Sequence, residues 1–211
     1  MTTSTSTRLP PKTERRALII EAAVSEFAAR GPAAVTMDDV ATAAGLTKPR
    51  VYDIFAGKED LLAAAVEGEA DRFLGTVLSA YRSAFGNADA EVEALARAAI
   101  DYANERPDGV RLLRSPAANE SEQVRAVQRR AHDVLAEAVA ARIRFWMDAD
   151  VGRAADLLAE MLLGMTLASI DHRLATGSPV DADLAELHAA AALAVLRNVD
   201  PALLLRLERE S

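Results

Sequence analysis

"GLTKPRVYDIFAGKE", residues 45 to 59, places Val51, Ile54 and Phe55 at the i, i+3, i+4 spacing of one buried helical face. Pro49 stands near the start of that helix, between Lys48 and Arg50. With Thr47 as the N-cap, Lys48, Pro49 and Arg50 form the first turn, where proline forfeits no helical hydrogen bond and its fixed φ suits the helix. Pro49 therefore starts the helix and does not break it. At roughly 100° per residue, Pro49 and Asp53 point away from the core face, with Arg50 and Tyr52 on the flanks. Such a surface suits a major groove: Arg50 can bridge a guanine bidentately, while Thr47, Lys48 and the Tyr52 hydroxyl can hold phosphates.

Upstream, a helix over about residues 13 to 30 puts Ile19, Ala23 and Phe27 on one face and stops at Gly31-Pro32. Thr36 with Asp39 three residues on makes a capping box, and Met37, Val40, Ala41 and Ala44 form the buried stripe of a second helix. Gly45 supplies the left-handed turn that ends it. Residues 37 to 55 thus carry a helix-turn-helix pattern: a small residue where two helices cross, a glycine in the turn, and branched residues in the wedge. The same spacing also occurs in ordinary all-α cores, and the polar face of the second helix is what favours a DNA reader.

A long helix begins near Lys58 and runs into the low 80s. A lysine at a helix N-terminus opposes the macrodipole, whereas Glu59 and Asp60 beside it accord with it. A phosphate arriving there would satisfy both Lys58 and the free N–H groups; a solvated surface lysine is the plain alternative.

The run "ERRALIIEAAVSEFAARGPAAVTMDDVATAAGLTKPRVYDIFAGKEDLLAAAV" resembles the N-terminal domain of the tetracycline-repressor (TetR) family of bacterial transcription regulators. The resemblance rests on Ala23, Phe27, Gly31, Thr36, Val40-Ala41, Ala44-Gly45, Tyr52, Phe55, Lys58-Glu59 and Leu61-Leu62, over about the first quarter of the chain. It implies a homodimer on a palindromic operator in double-stranded DNA, with a C-terminal helical domain that senses a small molecule, and a repressor as the usual mode. It also implies that Thr36, Thr47, Tyr52 and Lys58 contact phosphate, and that Lys48, Pro49, Arg50 and Asp53 reach bases. Asp53 fits least well, since phosphates repel a carboxylate unless it accepts from a cytosine amine or holds Arg50.

The expected fold is all-α: a flexible tail at 1–11, a three-helix helix-turn-helix domain at 12–58, and a larger helical ligand-binding and dimerisation domain at 59–211. The 211 residues are 51% hydrophobic, enough for a sizeable core, and none of the inter-turn segments alternates with period two. Of 24 cations and 32 anions, eight of each fall within residues 1–60, so the remaining 16 and 24 give the later body the whole deficit of −8. A neutral head is joined to an acidic body. No apolar run is long enough for a bilayer, and the first residues lack the apolar centre of a secretory signal, so no membrane and a cytoplasmic address are expected.

Residues 154 to 170, "AADLLAEMLLGMTLASI", carry only Asp156 and Glu160 as charges, one turn apart. A helix this apolar is buried on more than one side. With Gly164, Ala168 and "HAAAALAVL" (188 to 196) it suits a four-helix interface, two helices from each of two chains; the alternative is one larger monomeric core. Tyr102, Trp146, Met161 and Met165 are candidates to line an effector cavity, with Arg114 for an acidic head group, although each also serves as plain core. The effector implied is apolar or amphipathic.

An enzyme has little to work with. His132, His172 and His188 lie outside any HExxH motif, no glycine-rich phosphate loop is present, and there is no cysteine. Asp171-His172 and His132-Asp133 are sequence neighbours whose side chains diverge on a helix. No catalytic residue, metal site or cofactor is expected. The remaining rival is a ligand-independent or architectural DNA-binding protein.

Overall fold

The computed structural model describes residues 11–116, 118, 121–147, 152–177, 182–200, 202–204 and 206. Nearly all of the expected tail at 1–11 lies outside the described residues.

α1 (Lys12–Arg30) buries Ile19, Ile20, Ala23, Val24 and Phe27 and ends at Gly31, whose φ of +77° favours glycine. α2 (Met37–Ala43) opens on the expected capping box: Thr36 Oγ1 accepts from the Asp39 N–H at 3.2 Å, and the Asp39 carboxylate accepts from the Thr36 N–H at 2.7 Å. Gly45, at φ +65°, turns the chain into α3 (Lys48–Tyr52), with Thr47 at the N-cap. α3 is shorter than the spacing of its apolar residues suggests. Its C-cap is Asp53, and Ile54 and Phe55 reach the core through the following turn, both N–H groups bonding to the Val51 carbonyl. The chain must reverse within these few residues because the next helix already begins at Lys58.

α4 (Lys58–Ser83) is followed by α5 (Ala88–Glu105), α6 (Pro107–Arg114), α7 (Glu122–Met147), α8 (Gly152–Thr176) and α9 (Ala182–Asn198). No strand occurs among the described residues, so the chain is all-α, and none of its described helices is long and apolar enough to cross a membrane. α4 packs between α5 and α7, with α8 on α7 and α9 on α5.

The core of the first three helices takes Leu61, Leu62, Ala65 and Val66 from the start of α4. It also takes Leu112 from α6 and Val124 from α7. Head and bundle therefore share side chains. Where they meet, Glu69 of α4 is fully buried. Its carboxylate accepts from the Tyr102 hydroxyl at 2.9 Å, from Arg106 Nε at 3.1 Å and from Arg72. Arg106 reaches on to Glu21 of α1 at 2.9 Å. Burial pushes the Glu69 carboxyl upward, but the hydrogen bonds from Arg106 and Tyr102 and the charges of Arg106 and Arg72 outweigh it and hold it below its usual range.

Gly109 of α6 lies against this carboxylate, so closely that an added Cβ would collide with Glu69. Gly109→Ala should cost about 1–3 kcal/mol by overpacking a site that cannot relax without breaking the Arg106 pair. Gly75→Ala, on α4 with open space around it, should be neutral or stabilising. Thermal unfolding of the two variants side by side checks the contrast.

Candidate functional site: a nucleic-acid interface and a cavity

Thr36, Thr47, Lys48, Pro49, Arg50, Tyr52, Asp53 and Lys58 are all exposed and are contributed by α2, α3 and the start of α4. Val51 beneath them is fully buried, and Phe55 nearly so, which fixes the helix that presents them. The Arg50 side chain makes no hydrogen bond or ion pair with any described residue and is free to reach outward. In particular it is not held by Asp53. The Thr47 hydroxyl makes no cap hydrogen bond, since its backbone carbonyl performs the capping by accepting from Arg50 and Val51 N–H. Both are thus available to a ligand.

The two lysines are already engaged. Lys48 Nζ pairs with Asp38 at 2.9 Å, tying α3 to α2. Lys58 Nζ turns back to the Ala33 carbonyl at 3.4 Å and not toward the end of its own helix. The N-terminus of α4 is served by Asp60, which accepts from the Ala56 N–H at 2.9 Å. Both lysine heads remain exposed to an arriving phosphate.

Thr36 lies at the edge of this surface, where its hydroxyl donates to Asp39 Oδ2 at 2.7 Å. Hydrogen bonds from the Thr36 side chain and backbone, then from Arg30, hold the Asp39 carboxyl down at about 2. A depressed carboxyl contributes stability that is complete above the ordinary carboxylate range and lost as pH falls toward about 2. In Thr36→Ala the Asp39 titration should climb toward the ordinary value of about 3.9, read from its side-chain carbon shift by NMR.

The bundle holds two adjoining voids. The first is small, about 30 Å³, and is lined by Tyr81, Glu91, Leu95, Val139, Arg142, Trp146, Leu163, Thr166 and His188, among others. The second, larger at about 130 Å³ and partly open, lies nearer the head, between Phe73, Val77, Arg114, Gln128, His132 and Leu135. Leu95, Leu163 and Thr166 belong to both walls and form the neck between them. Arg114, at the mouth of the second void, grips Asp171 with Nε at 2.9 Å and Nη2 at 2.5 Å.

Of the residues expected around a cavity, the structure brings Trp146 and Arg114 to these walls. Tyr102 lines neither void, because its hydroxyl is taken by Glu69. Met165 packs against the bundle core without lining either void. Met161 must be moved: it is 59% exposed, one turn from the exposed Leu157, on the face of α8 opposite the buried Ala155, Leu158, Ala159 and Leu162. Among the described residues no group of three or more His, Asp or Glu side chains could hold a metal ion.

Sequence reasoning passed over the polar end of the first void. Arg142 is buried, with Nε and Nη2 on the fully buried Glu91 at 2.8 and 2.6 Å. Phe85, Phe145 and Trp146 surround its guanidinium, their ring centroids 4.5 to 5.2 Å away. The pair joins residues 51 apart, which leaves no local trace, although the i, i+3, i+4 spacing of Arg142, Phe145 and Trp146 was a visible cue.

Residues 19–65 match the profile of bacterial regulatory proteins of the tetR family. The chain is 29% identical over 175 residues to the HTH-type transcriptional activator FasR of Mycolicibacterium smegmatis, covering 83% of this chain and 79% of that one. Among solved structures, a TetR-like transcriptional regulator from Rhodococcus sp. RHA1 is 25% identical and superposes with a TM-score of 0.74, over 91% of this chain and 100% of the other. The fatty acid degradation regulator FadR from Bacillus halodurans, 19% identical, shares the fold with a TM-score of 0.69 over 90% and 96%.

Proposed function

We propose that this chain, which belongs to the tetR family of bacterial regulatory proteins and is a DNA-binding transcriptional regulator, acts as a homodimeric repressor that leaves a palindromic operator when a small apolar or amphipathic molecule enters the bundle. The observation that carries the DNA-reading part is the exposed, unengaged Arg50 on a helix whose other face is anchored by Val51. Residues 12–58 act as the reading head and 59–211 as the sensing and dimerising body, with the start of α4 shared between them. Arg50, Lys48, Pro49 and Asp53 face base edges, and Thr36, Thr47, Tyr52 and Lys58 hold phosphates.

Arg50→Ala should weaken binding to the operator far more than to random DNA, because a bidentate base contact is worth about 1–3 kcal/mol of discrimination. Lys58→Ala should weaken both alike and reduce the slope of log affinity against log salt by about one for each subunit in contact. Equal losses on operator and random DNA for Arg50→Ala would remove it from the base-reading set.

Dimerisation is supported by the outward face of α8 and α9. Leu157, Met161, Gly164 and Ala168 run along one, and Leu187, Ala190 and Ala194 along the other, all exposed. A Cβ added at Gly164 would meet nothing within 4 Å, so a helix of a second copy can approach closely there. Two α8–α9 pairs related by a two-fold axis bury this stripe against itself and set two reading heads on successive half-sites, about 34–36 Å apart. Light scattering at micromolar concentration should give a dimer for the native chain and a monomer for Met161→Asp. A native monomer would sink the proposal.

The effector would occupy the two voids. Along α7 their walls run from Gln128 to Trp146, about 27 Å at roughly 1.5 Å per residue, which suits an elongated molecule better than a compact one. Most of the wall is aliphatic or aromatic, in keeping with a largely apolar occupant.

A further inference from the structure

The first void is apolar apart from the Arg142, Glu91 and Tyr81 group at one end and the Thr166–His188 pair beside the neck. Each of these groups limits what can bind. Glu91 and Arg142 neutralise each other, and Glu91 also accepts from the Gly86 N–H at 2.8 Å. His188 is buried and pushed toward its neutral form by that burial, sharing a 2.9 Å hydrogen bond with Thr166. Burial, then the nearby charge of Glu91, raises the Tyr81 phenol to about 12, so it stays protonated. The polar end therefore carries no net charge.

It does offer donors. Arg142 spends Nε and Nη2 on Glu91, while Nη1 has no acceptor among the described residues. The Tyr81 hydroxyl makes only a long 3.4 Å contact to the Ala138 carbonyl. A buried anion here would face the Glu91 carboxylate with no free cation to balance it, and a buried cation would face Arg142. A neutral acceptor oxygen meets neither penalty, and it gives these donors a partner inside the void.

We propose that this end of the void binds the carbonyl oxygen of a neutral, elongated, mostly apolar molecule, an ester, ketone or lactone, with Arg142 Nη1 and the Tyr81 hydroxyl donating to it. The proposal rests on the reading of the voids as the effector site and adds its chemical selectivity. Charge balance provides that selectivity: the paired Glu91 admits the oxygen acceptor but rejects a carboxylate of the same length.

Trp146 is the single tryptophan of the chain and lines the void, so its emission reports occupancy directly. Full-length protein is titrated with methyl decanoate, 2-undecanone, decanoate and undecane, following Trp146 emission and thermal stability together. The ester and ketone should bind about tenfold or more tightly than the hydrocarbon, the gain expected from a hydrogen bond to a charged donor, and more tightly than decanoate. Arg142→Lys keeps a cation for Glu91 but loses the forked donor geometry, and Tyr81→Phe removes only a hydroxyl. Each should erase most of the preference for the ester while leaving undecane binding unchanged. Equal affinity for ester and undecane, or unchanged selectivity in both variants, overturns the carbonyl assignment and leaves the effector site standing. Tightest binding by decanoate overturns the charge argument. If none of the four probes moves either signal, the effector reading fails as well.

Discussion

A single buried carboxylate organises the junction of this molecule. Glu69 has no access to solvent, and an ionised group there is tolerable only because Tyr102, Arg106 and Arg72 all bond to it. Those partners come from α4, from α5 and from the residue that joins α5 to α6, Arg106, which extends the tie to α1 through Glu21. Remove one member and a charge is stranded, which typically costs several times what an exposed pair is worth. The position of Glu69 along α4 adds to its importance. Leu61, Leu62, Ala65 and Val66 belong to the reading head, whereas Phe73 and Val77 line the nearer void. The carboxylate sits between them, so a displacement of the cavity walls and a tilt of the head both have to pass it.

The bundle voids obey the same rule in a different setting. Glu91 enters the interior as a closed pair with Arg142, Arg114 is paired with Asp171 at an exposed mouth, and most of what remains of the walls is hydrocarbon. Under the proposed reading, charge balance would set which molecules are refused, and the shape of the two voids which are accommodated. The acidic excess of the chain falls after residue 60, in the body and not in the head.

Much of the head was legible in the sequence because its determinants are local. Gly31 and Gly45 take positive φ, Thr36 and Asp39 exchange hydrogen bonds across three residues, and Pro49 stands in the first turn of α3. The length of α3 was less so, because Val51, Ile54 and Phe55 satisfy helical spacing even though the last two reach the core from a turn. In the body the partners are far apart in the chain: Glu69 meets Arg106 across 37 residues and Glu91 meets Arg142 across 51. Neither pairing leaves a mark within one helical turn. Met161 illustrates the related limit. On a helix as apolar as α8, composition does not reveal which side is core, and the methionine lies on the outer one.

The ion pair between Lys48 and Asp38 bears on how the head discriminates between kinds of DNA. A lysine already paired with a carboxylate has to loosen that pair to meet a phosphate, so its contact would add less net attraction than that of a bare lysine. The Lys58 hold on the Ala33 carbonyl, a weaker tie, acts in the same direction. Of the two cations in α3, one is thus paired and the other, Arg50, has no side-chain partner among the described residues, so under the proposed reading the contrast between operator and random DNA would rest more on Arg50 than on Lys48.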